Sequence, residues 1–335
     1  MDMGKITAKS QKGQNVPDFT EEQARDYFEV RRWPNGPACV HCGSIDVYRV
    51  GGNSGRVGLL ECRDCRKQFS VTVGTVMEDT HLPLATWAKA FHYLASSKKG
   101  FSALQLQRNC GIGSYRTAWF LAHRIREAMR CEPVASLLRG QVQVDETYVG
   151  PNRHHKHLGS RKPSKHGRGT DKTPVLALVE SRPGGKAHAL PIERIDAKTL
   201  RAAMQERIAP SAQIVTDEFT SYPPAAAGFM GGHETVCHSQ GEYSRDGFNT
   251  NSAESWFSLF KRGVYGTFHH ISKKHMHRYC DEFSFRWGNR TISDTERRDE
   301  AVKAAEGKRL MYKSPVAPTS DPQPKDGNQL PFWSR

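Results

Sequence analysis

Two pairs of closely spaced cysteines constrain the N-terminal part of this sequence more than any other feature. The pattern is C-x2-C-x19-C-x2-C, and its members are Cys39, Cys42, Cys62 and Cys65. Such spacing lets both thiolates of a tight turn reach one ion, and four sulfurs complete a tetrahedral structural site with no open position. Unconnected buried thiols or a redox pair are the alternatives, but two matched pairs favour structural Zn²⁺. We therefore predict a zinc ribbon over residues 17–75.

The charge of the whole chain narrows the class of partner. Its 335 residues carry a formal net charge of +14, and a surplus of this size favours a polyanion such as nucleic acid. Residues 1–20 lack the apolar run of a signal peptide, and no later stretch approaches the length of a membrane span. These features predict a cytoplasmic, nucleoid-associated protein with no membrane partner. In that reducing compartment, clustered cysteines indicate a metal rather than disulfides.

A helical region follows the cysteines. Apolar residues recur at helical spacing from Leu84 to Leu94, a short helix fits residues 102–109, and a longer helix should begin at an N-cap, Ser114. This outline predicts a helix-turn-helix domain over residues 80–135, in which the start of the second helix reads base edges. A plain helical hairpin is the alternative. The residues nominated for contact with bases are Tyr115, Arg116 and Trp119, and those nominated for phosphates are Arg124 and Arg126.

The sequence changes to strand patterns near residue 140. Alternating or continuous apolar residues predict strands and one helix in the segments 140–150, 173–180, 186–195, 196–208 (the helix, opened by Asp196) and 212–222. Three strands, a helix and a further strand are the element order of the ribonuclease H-like fold. The expected fold class is therefore a multidomain α+β protein in which residues 139–292 form an α/β catalytic domain with a mixed sheet.

Two of the predicted strands end in acids. Asp145 ends the first strand and Asp217 the fourth, and these strands are neighbours in that topology, so both carboxylates should meet at one rim of the sheet. Close carboxylates raise one another's pKa, whereas Mg²⁺, or Mn²⁺ in its place, prefers such oxygen ligands. Glu254, on a later amphipathic helix, is the expected third ligand. Lys261, seven residues further on the same helix face, should hold a DNA phosphate or, alternatively, be a solvated cation near the helix end.

The segments around these acids resemble a known family. VDETYVG, IVTDEFTSY and the block from Asn249 to Arg290, with the upstream cysteine pairs and helix-turn-helix, are similar to bacterial insertion-sequence transposases of the zinc-ribbon DDE kind, the ISXO-two-like group. The resemblance covers about residues 17–312. It implies Mg²⁺-dependent DNA cleavage and strand transfer by a two-metal mechanism. The family's acidic triad falls on Asp145, Asp217 and Glu254, and its basic residue on Lys261.

The resemblance also implies the partners of the protein. Double-stranded DNA would be bound both as the terminal inverted repeats of the element and as the target. A homodimer or higher oligomer is expected, because two element ends must meet.

A basic segment lies between the first two strands. Residues 153–172 contain seven Lys or Arg against one acid, and their Gly and Ser content predicts a loop. We expect this loop to contact the DNA backbone through Arg161, Lys162, Lys165 and Arg168, the alternative being a solvated insertion. Residues 1–16 are predicted to be disordered, and residues 293–335 to form a charged helix and a disordered, Pro-rich tail.

Two further functions remain open on these residues alone. A catalytically silent regulator derived from a transposase would keep the DNA-binding modules but would not need the three acids together. A metal-dependent nuclease or resolvase of the same fold would cut DNA without joining it to a new target. An assay for strand transfer separates both from a transposase.

Overall fold

Helices and two sheets make up the part of the chain that the structure describes. The computed structural model describes residues 16–51, 57–130, 137–150, 172–237, 244 and 247–312. Its α-helices are α1 (Glu21–Arg32), α2 (Leu84–Ser96), α3 (Ala103–Asn109), α4 (Tyr115–Ala128), α5 (Ala197–Arg207), α6 (Tyr222–Ala226), α7 (Asn251–Gly263), α8 (Met276–Gly288) and α9 (Asp294–Lys303). Its strands are β1 (Val47–Arg49), β2 (Leu60–Cys62), β3 (Gln68–Phe69), β4 (Gln141–Val149), β5 (Thr173–Glu180), β6 (Ala187–Pro191), β7 (Gln213–Asp217) and β8 (His233–Val236). Within these ranges no helix is both long and apolar enough to cross a bilayer.

Capping residues mark where several helices begin. α1, which the sequence analysis did not identify, starts with a capping box in which Thr20 and Gln23 each bond the backbone N–H of the other. Asp196 caps α5 as predicted, because its side chain accepts the N–H three residues later at 2.8 Å. Ser114 occupies the N-cap position of α4, but its side chain makes no capping hydrogen bond.

The small sheet and the helices around it share one hydrophobic core. β1, β2 and β3 form an antiparallel sheet in that order. Leu60 and Phe69 of this sheet belong to the same buried cluster as Trp87 of α2 and Ala301 of α9. α9 also packs against α1 and α2. The sequence predicts α9 as part of a separate C-terminal segment, whereas in the structure its residues Ala301 and Val302 are buried in the N-terminal core.

The five-stranded sheet is mixed, as predicted. Its order is β6-β5-β4-β7-β8, with β5 antiparallel to both neighbours and β4, β7 and β8 parallel to one another. One face packs against α5 and α6 through Leu200 and Tyr222. The other face packs against α7 and α8 through Trp256 and Phe283. The sheet therefore has a helical layer on each side, and α7 lies over the face that carries the odd-numbered residues of β4.

α8 connects the two parts of the fold. One side of this helix buries Phe283 against the five-stranded sheet. Its other side carries Glu282, which is fully buried and accepts ion pairs from Arg126 of α4 at 2.6 Å and from Arg286 of α8 at 2.9 Å. Arg286 also donates to the carbonyl oxygen of Ser97, just after α2, at 2.6 Å. A buried group of charges thus holds α2, α4 and α8 together.

Loss of the acid in this group should be costly. Glu282→Gln leaves two buried guanidinium groups without their shared carboxylate, and we expect the free energy of unfolding to fall by about 3–5 kcal/mol. The matched control is Glu300→Gln, which breaks an exposed pair with Lys303 (2.8 Å). That change should cost less than about 1 kcal/mol. Urea titration followed by tryptophan fluorescence measures both, and equally small effects would contradict the role of α8 as a charged connector.

Candidate functional site

The four cysteines of the predicted ribbon converge on one point. Their sulfur atoms all lie within 4.8 Å of one another. Cys39 and Cys65 are 3.6 Å apart between sulfurs, and so are Cys42 and Cys62. Tetrahedral Zn²⁺ with bonds of about 2.3 Å needs sulfurs about 3.8 Å apart, so this donor set fits the ion. Structural Zn²⁺ in the ribbon is consistent with both the ligand type and the spacing.

Two similar turns bring these sulfurs together. The N–H of Gly43 donates to the carbonyl oxygen of Cys39 at 2.8 Å, and the N–H of Arg66 donates to that of Cys62 at 2.9 Å. Both donors have positive φ, 78° at Gly43 and 55° at Arg66. Glycine adopts this conformation without steric cost, which explains its place after the first pair.

Asp145 and Asp217 lie at matching positions on neighbouring strands. β4 pairs with β7 in a parallel register that aligns Gln143 with Val215. The same register, carried two residues further, places Asp145 beside Asp217. Asp217 ends β7 as predicted, but Asp145 does not end its strand, because β4 continues to Val149 in pairing with β5. Side chains alternate along a strand, so both carboxylates share the face on which Gln143 lies. This is the face that α7 covers.

α7 brings the third acid to the same place. Glu254 lies in the first turn of this helix, and fully buried Trp256 and Phe260 hold the helix on the sheet. The pKa of Asp145 is raised to about 8 by burial and by the negative charges of Glu146, Asp217 and Glu254. The three predicted ligands therefore form one electrostatic cluster. Among the described residues, the four cysteines are the group whose donor atoms lie close enough together to hold a metal ion. The oxygen atoms of the three acids are more widely spaced.

Local hydrogen bonds orient each carboxylate. Asp145 accepts the N–H of Glu146 at 2.7 Å, and Asp217 accepts the N–H of Phe219 at 3.1 Å. Glu254 accepts the hydroxyl of Thr250, one turn earlier, at 3.5 Å. These contacts use groups from the same segment as each acid, so each strand or helix end contributes to the orientation of its own carboxylate.

Glu146 is on the opposite side of β4. Its carboxylate accepts the phenol hydroxyl of Tyr222, a fully buried residue of α6. Burial and the charges of Glu146 and Asp145 raise the pKa of Tyr222 well above its usual value, so the phenol remains a proton donor. Glu146 is thus held in place behind the acidic cluster, as expected from the alternation of side chains along a strand.

Lys261 lies within electrostatic range of the acids. It is half-buried, and its pKa is lowered by burial and by Lys172, while Asp145 opposes that shift. The predicted position on the same side of α7 as Glu254 therefore brings it toward the acidic cluster. Its surroundings differ from those of a fully solvated cation at a helix end.

The residues nominated for DNA contact on α4 separate into two groups. Tyr115 is 53 % exposed, and Arg116 is exposed with its guanidinium stacked 4.5 Å from the ring centre of Tyr312. Trp119 is only half-buried, but its ring packs against His123 and His275. Of these residues, Tyr115 and Arg116 at the first turn of α4 offer surface to a ligand.

The prediction that Arg124 and Arg126 contact phosphates is wrong. Arg124 is 7 % exposed, donates to the carbonyl oxygen of Glu78 and lies over the ring of Trp87. Arg126 is 2 % exposed and pairs with Glu282. Every residue of α4 from Leu121 to Ala128 is buried, so this end of the helix is covered on all sides, and both guanidinium groups stabilise the interior instead of a bound anion.

Four further candidates for DNA contact belong to the basic segment 153–172. Arg161, Lys162, Lys165 and Arg168 lie outside the described residues, as does most of the basic segment 153–172. Its last residue, Lys172, precedes β5 and is the one that lowers the pKa of Lys261.

The sequence patterns did not identify one buried polar residue, Gln143. Gln143 is fully buried although it stands in the middle of β4, between two valines that pack on the opposite face. A strand pattern of alternating apolar and polar residues predicts a solvent-facing side chain at this position. The amphipathic pattern of α7 is the signal that could have revealed this burial, because such a helix implies a second apolar layer on that face of the sheet.

Comparison with known proteins places these features in one family. Residues 137–288 match the model of the ISXO2-like transposase domain, and residues 19–68 match that of the transposase zinc-ribbon domain. The first match spans all three acids, and the second spans all four cysteines. The chain is also 30% identical over 275 residues to a Halobacterium salinarum protein described as an uncharacterized protein in the transposable element ISH50, an alignment that covers 80% of this chain and 90% of that relative. The chain therefore belongs to the ISXO2-like transposase family, and it combines the transposase domain with an N-terminal transposase zinc ribbon.

Proposed function

We propose that this protein is the transposase of an insertion sequence, which binds the ends of its element and catalyses DNA cleavage and strand transfer. The observation that supports this most is the convergence of Asp145, Asp217 and Glu254 on one face of a mixed sheet, within the region that matches the transposase domain. The strand order and the covering helices agree with a ribonuclease H-like fold for residues 139–292.

The acidic cluster suits Mg²⁺ or Mn²⁺. Carboxylates that are partly buried and close together disfavour their own ionised form, which a hard divalent cation with oxygen preference restores. Asp145 would contribute to both ions of a two-metal site, and Asp217 and Glu254 would each contribute to one. When bound, the ions would supply activation of the attacking oxygen and charge stabilisation at the leaving oxygen.

The residues around the acids would position the DNA. Lys261 would bind a phosphate beside the cluster, where a phosphate charge would favour the protonated amine that burial disfavours. The hydrogen bonds from Thr250 and from the N–H groups of Glu146 and Phe219 would keep the carboxylates directed toward the same space. Phosphoryl transfer depends mainly on such positioning and on charge neutralisation.

Recognition of the element ends would fall to the N-terminal part. We assign helices α3 and α4 to a helix-turn-helix in residues 80–135, with Tyr115 and Arg116 at the start of the second helix as the DNA-contacting residues. The zinc ribbon, residues 17–75, would orient this module, because both share one core. The basic segment 153–172 would contact the DNA backbone, and two ends would be joined within a dimer or larger assembly.

The test is an assay with purified protein, duplexes that carry the element ends, a plasmid target and Mg²⁺. We expect metal-dependent cleavage at the ends and covalent joining of those ends to the plasmid. Binding without metal-dependent cleavage would overturn the proposal in favour of a DNA-binding regulator. Cleavage without joined products would overturn it in favour of a nuclease or resolvase.

A further inference from the structure

Gln143 makes four hydrogen bonds from within the fold. Its Oε1 accepts the backbone N–H groups of Ser252 at 2.8 Å and Ala253 at 3.1 Å. Its Nε2 donates to the Oδ1 of Asn249 at 3.1 Å and to the Oγ of Ser181 at 3.0 Å. A backbone N–H can only donate, so the amide oxygen must face α7. Both ends of the amide are then fully used, because a carboxamide offers two acceptor sites and two donors.

These bonds replace a missing helix cap. The first N–H groups of an α-helix have no partner within the helix and are usually satisfied by an N-cap side chain. Thr250 occupies the N-cap position of α7, but its side chain makes no capping hydrogen bond. Gln143 accepts two of these N–H groups from a different element, β4, and Asn249 accepts that of Asn251 at 3.1 Å. The start of α7 is therefore fixed directly to the strand beneath it.

The two acids on these elements lie next to the bonded atoms. Asp145 is two residues beyond Gln143 on β4, and Glu254 directly follows Ala253 on α7. One side chain thus links the backbone that carries the first acid to the backbone that carries the third. A small shift of α7 along or away from β4 would change the distance between the two carboxylates.

We infer that Gln143 is a positioning residue that sets the spacing of Asp145 and Glu254 for divalent-cation binding. This inference rests on the proposed function, since it assumes that the two acids bind the same group of ions. Gln143 does not itself contact the reacting atoms, because it is fully buried under α7 and all its polar atoms are bonded. Its effect is transmitted through the backbone of α7. Residues that hold metal ligands in place typically affect metal affinity about 10–100-fold when they are replaced.

Three variants separate this role from a general contribution to packing. Gln143→Met keeps the size of the side chain but removes all four hydrogen bonds. Gln143→Glu keeps the two acceptor contacts to the N–H groups of α7, where a negative charge also suits the helix dipole. The matched control is Ser181→Ala, which removes one bond of Gln143 but leaves its contacts with α7 intact.

The measurement is Mn²⁺ binding to the DNA-free protein, followed by the electron paramagnetic resonance signal of free Mn²⁺, with thermal unfolding of each variant recorded in parallel. We expect Gln143→Met to weaken Mn²⁺ binding by about tenfold or more. Ser181→Ala should stay within about twofold of the wild type, and Gln143→Glu should recover most of the affinity. If Gln143→Met does not fold, the Mn²⁺ affinity of Gln143→Glu tests the inference, and we expect it to be close to that of the wild type.

Several outcomes would overturn the inference. These are wild-type affinity in a folded Gln143→Met protein, equal losses in Gln143→Met and Ser181→Ala, or a loss of tenfold or more in Gln143→Glu. The proposed function fails separately. If the wild type binds no Mn²⁺, or binds it with an affinity that Asp145→Asn leaves unchanged, the acids are not a metal site. The inference then fails together with the proposed function.

Discussion

Asp145→Asn is expected to lower the rate of end cleavage at least about 1000-fold. This corresponds to a loss of about 4 kcal/mol of transition-state stabilisation, in the range that a metal-centred site supplies. Asn keeps the size of the side chain but removes the charge that both ions would share. Binding of the element ends should be unchanged, because the proposed contacts of Tyr115 and Arg116 lie on α4, outside the sheet that carries Asp145. Single-turnover cleavage of a labelled end duplex in Mg²⁺ measures the rate, and a gel-shift titration measures binding.

The same variant carries an internal check. Burial and the charges of Glu146, Asp217 and Glu254 raise the pKa of Asp145 to about 8, so its ionised form opposes folding at neutral pH when no metal is present. The metal-free Asp145→Asn protein should therefore be at least as stable as the wild type. Glu193→Gln, at an exposed acid beyond β6, is the charge-matched control and should cleave at the wild-type rate. Cleavage by Asp145→Asn at more than about a tenth of that rate would contradict the assigned site.

Cys62→Ser should abolish the folded N-terminal core. Cys62 is fully buried in the cluster that also contains Leu60 and Phe69 of the ribbon, so loss of the metal would expose apolar surface in both ribbon and helices. Structural Zn²⁺ sites of this kind contribute apparent binding free energies of about 10–16 kcal/mol at neutral pH. We expect the variant to contain no stoichiometric zinc, to lose its near-ultraviolet circular dichroism in part, and to lose end binding.

The control for this prediction is another thiol in the same region. Cys110, at the end of α3, is partly buried and does not belong to the compact sulfur group. Cys110→Ser should retain one zinc per chain and bind element ends like the wild type. If Cys62→Ser also retained stoichiometric zinc and the wild-type melting temperature, the four cysteines would not be a structural zinc site.

Much of this architecture could be predicted from short-range patterns in the sequence. The spacing of the cysteines is a local property of two turns, and alternation fixed the faces of β4 and β7 on which Asp145 and Asp217 lie. Their juxtaposition followed from element order, because the topology predicted from that order makes the first and fourth strands neighbours, as β4 and β7 are in the sheet. Asp196 marked the start of α5 because capping depends only on the next three residues.

The features that could not be predicted depend on contacts between distant segments. A helical pattern gives the spacing of Arg124 and Arg126 on α4 but not which faces of α4 are covered, and the partner of Arg126 is Glu282, 156 residues later. The burial of α9 in the N-terminal core has the same cause. The strand pattern predicts that Gln143 faces solvent, but α7 covers that face of the sheet and buries the side chain.

The most direct test of the acid site is strand transfer by the wild type beside Glu254→Gln, with the correct element ends and Mg²⁺. Glu254 is the metal ligand that we propose on α7, so the comparison asks whether a sheet and a separately placed helix form one catalytic site. The account predicts joined products from the wild type and none from Glu254→Gln, with equal end binding by both. Equal yields of joined product from the two proteins would contradict it.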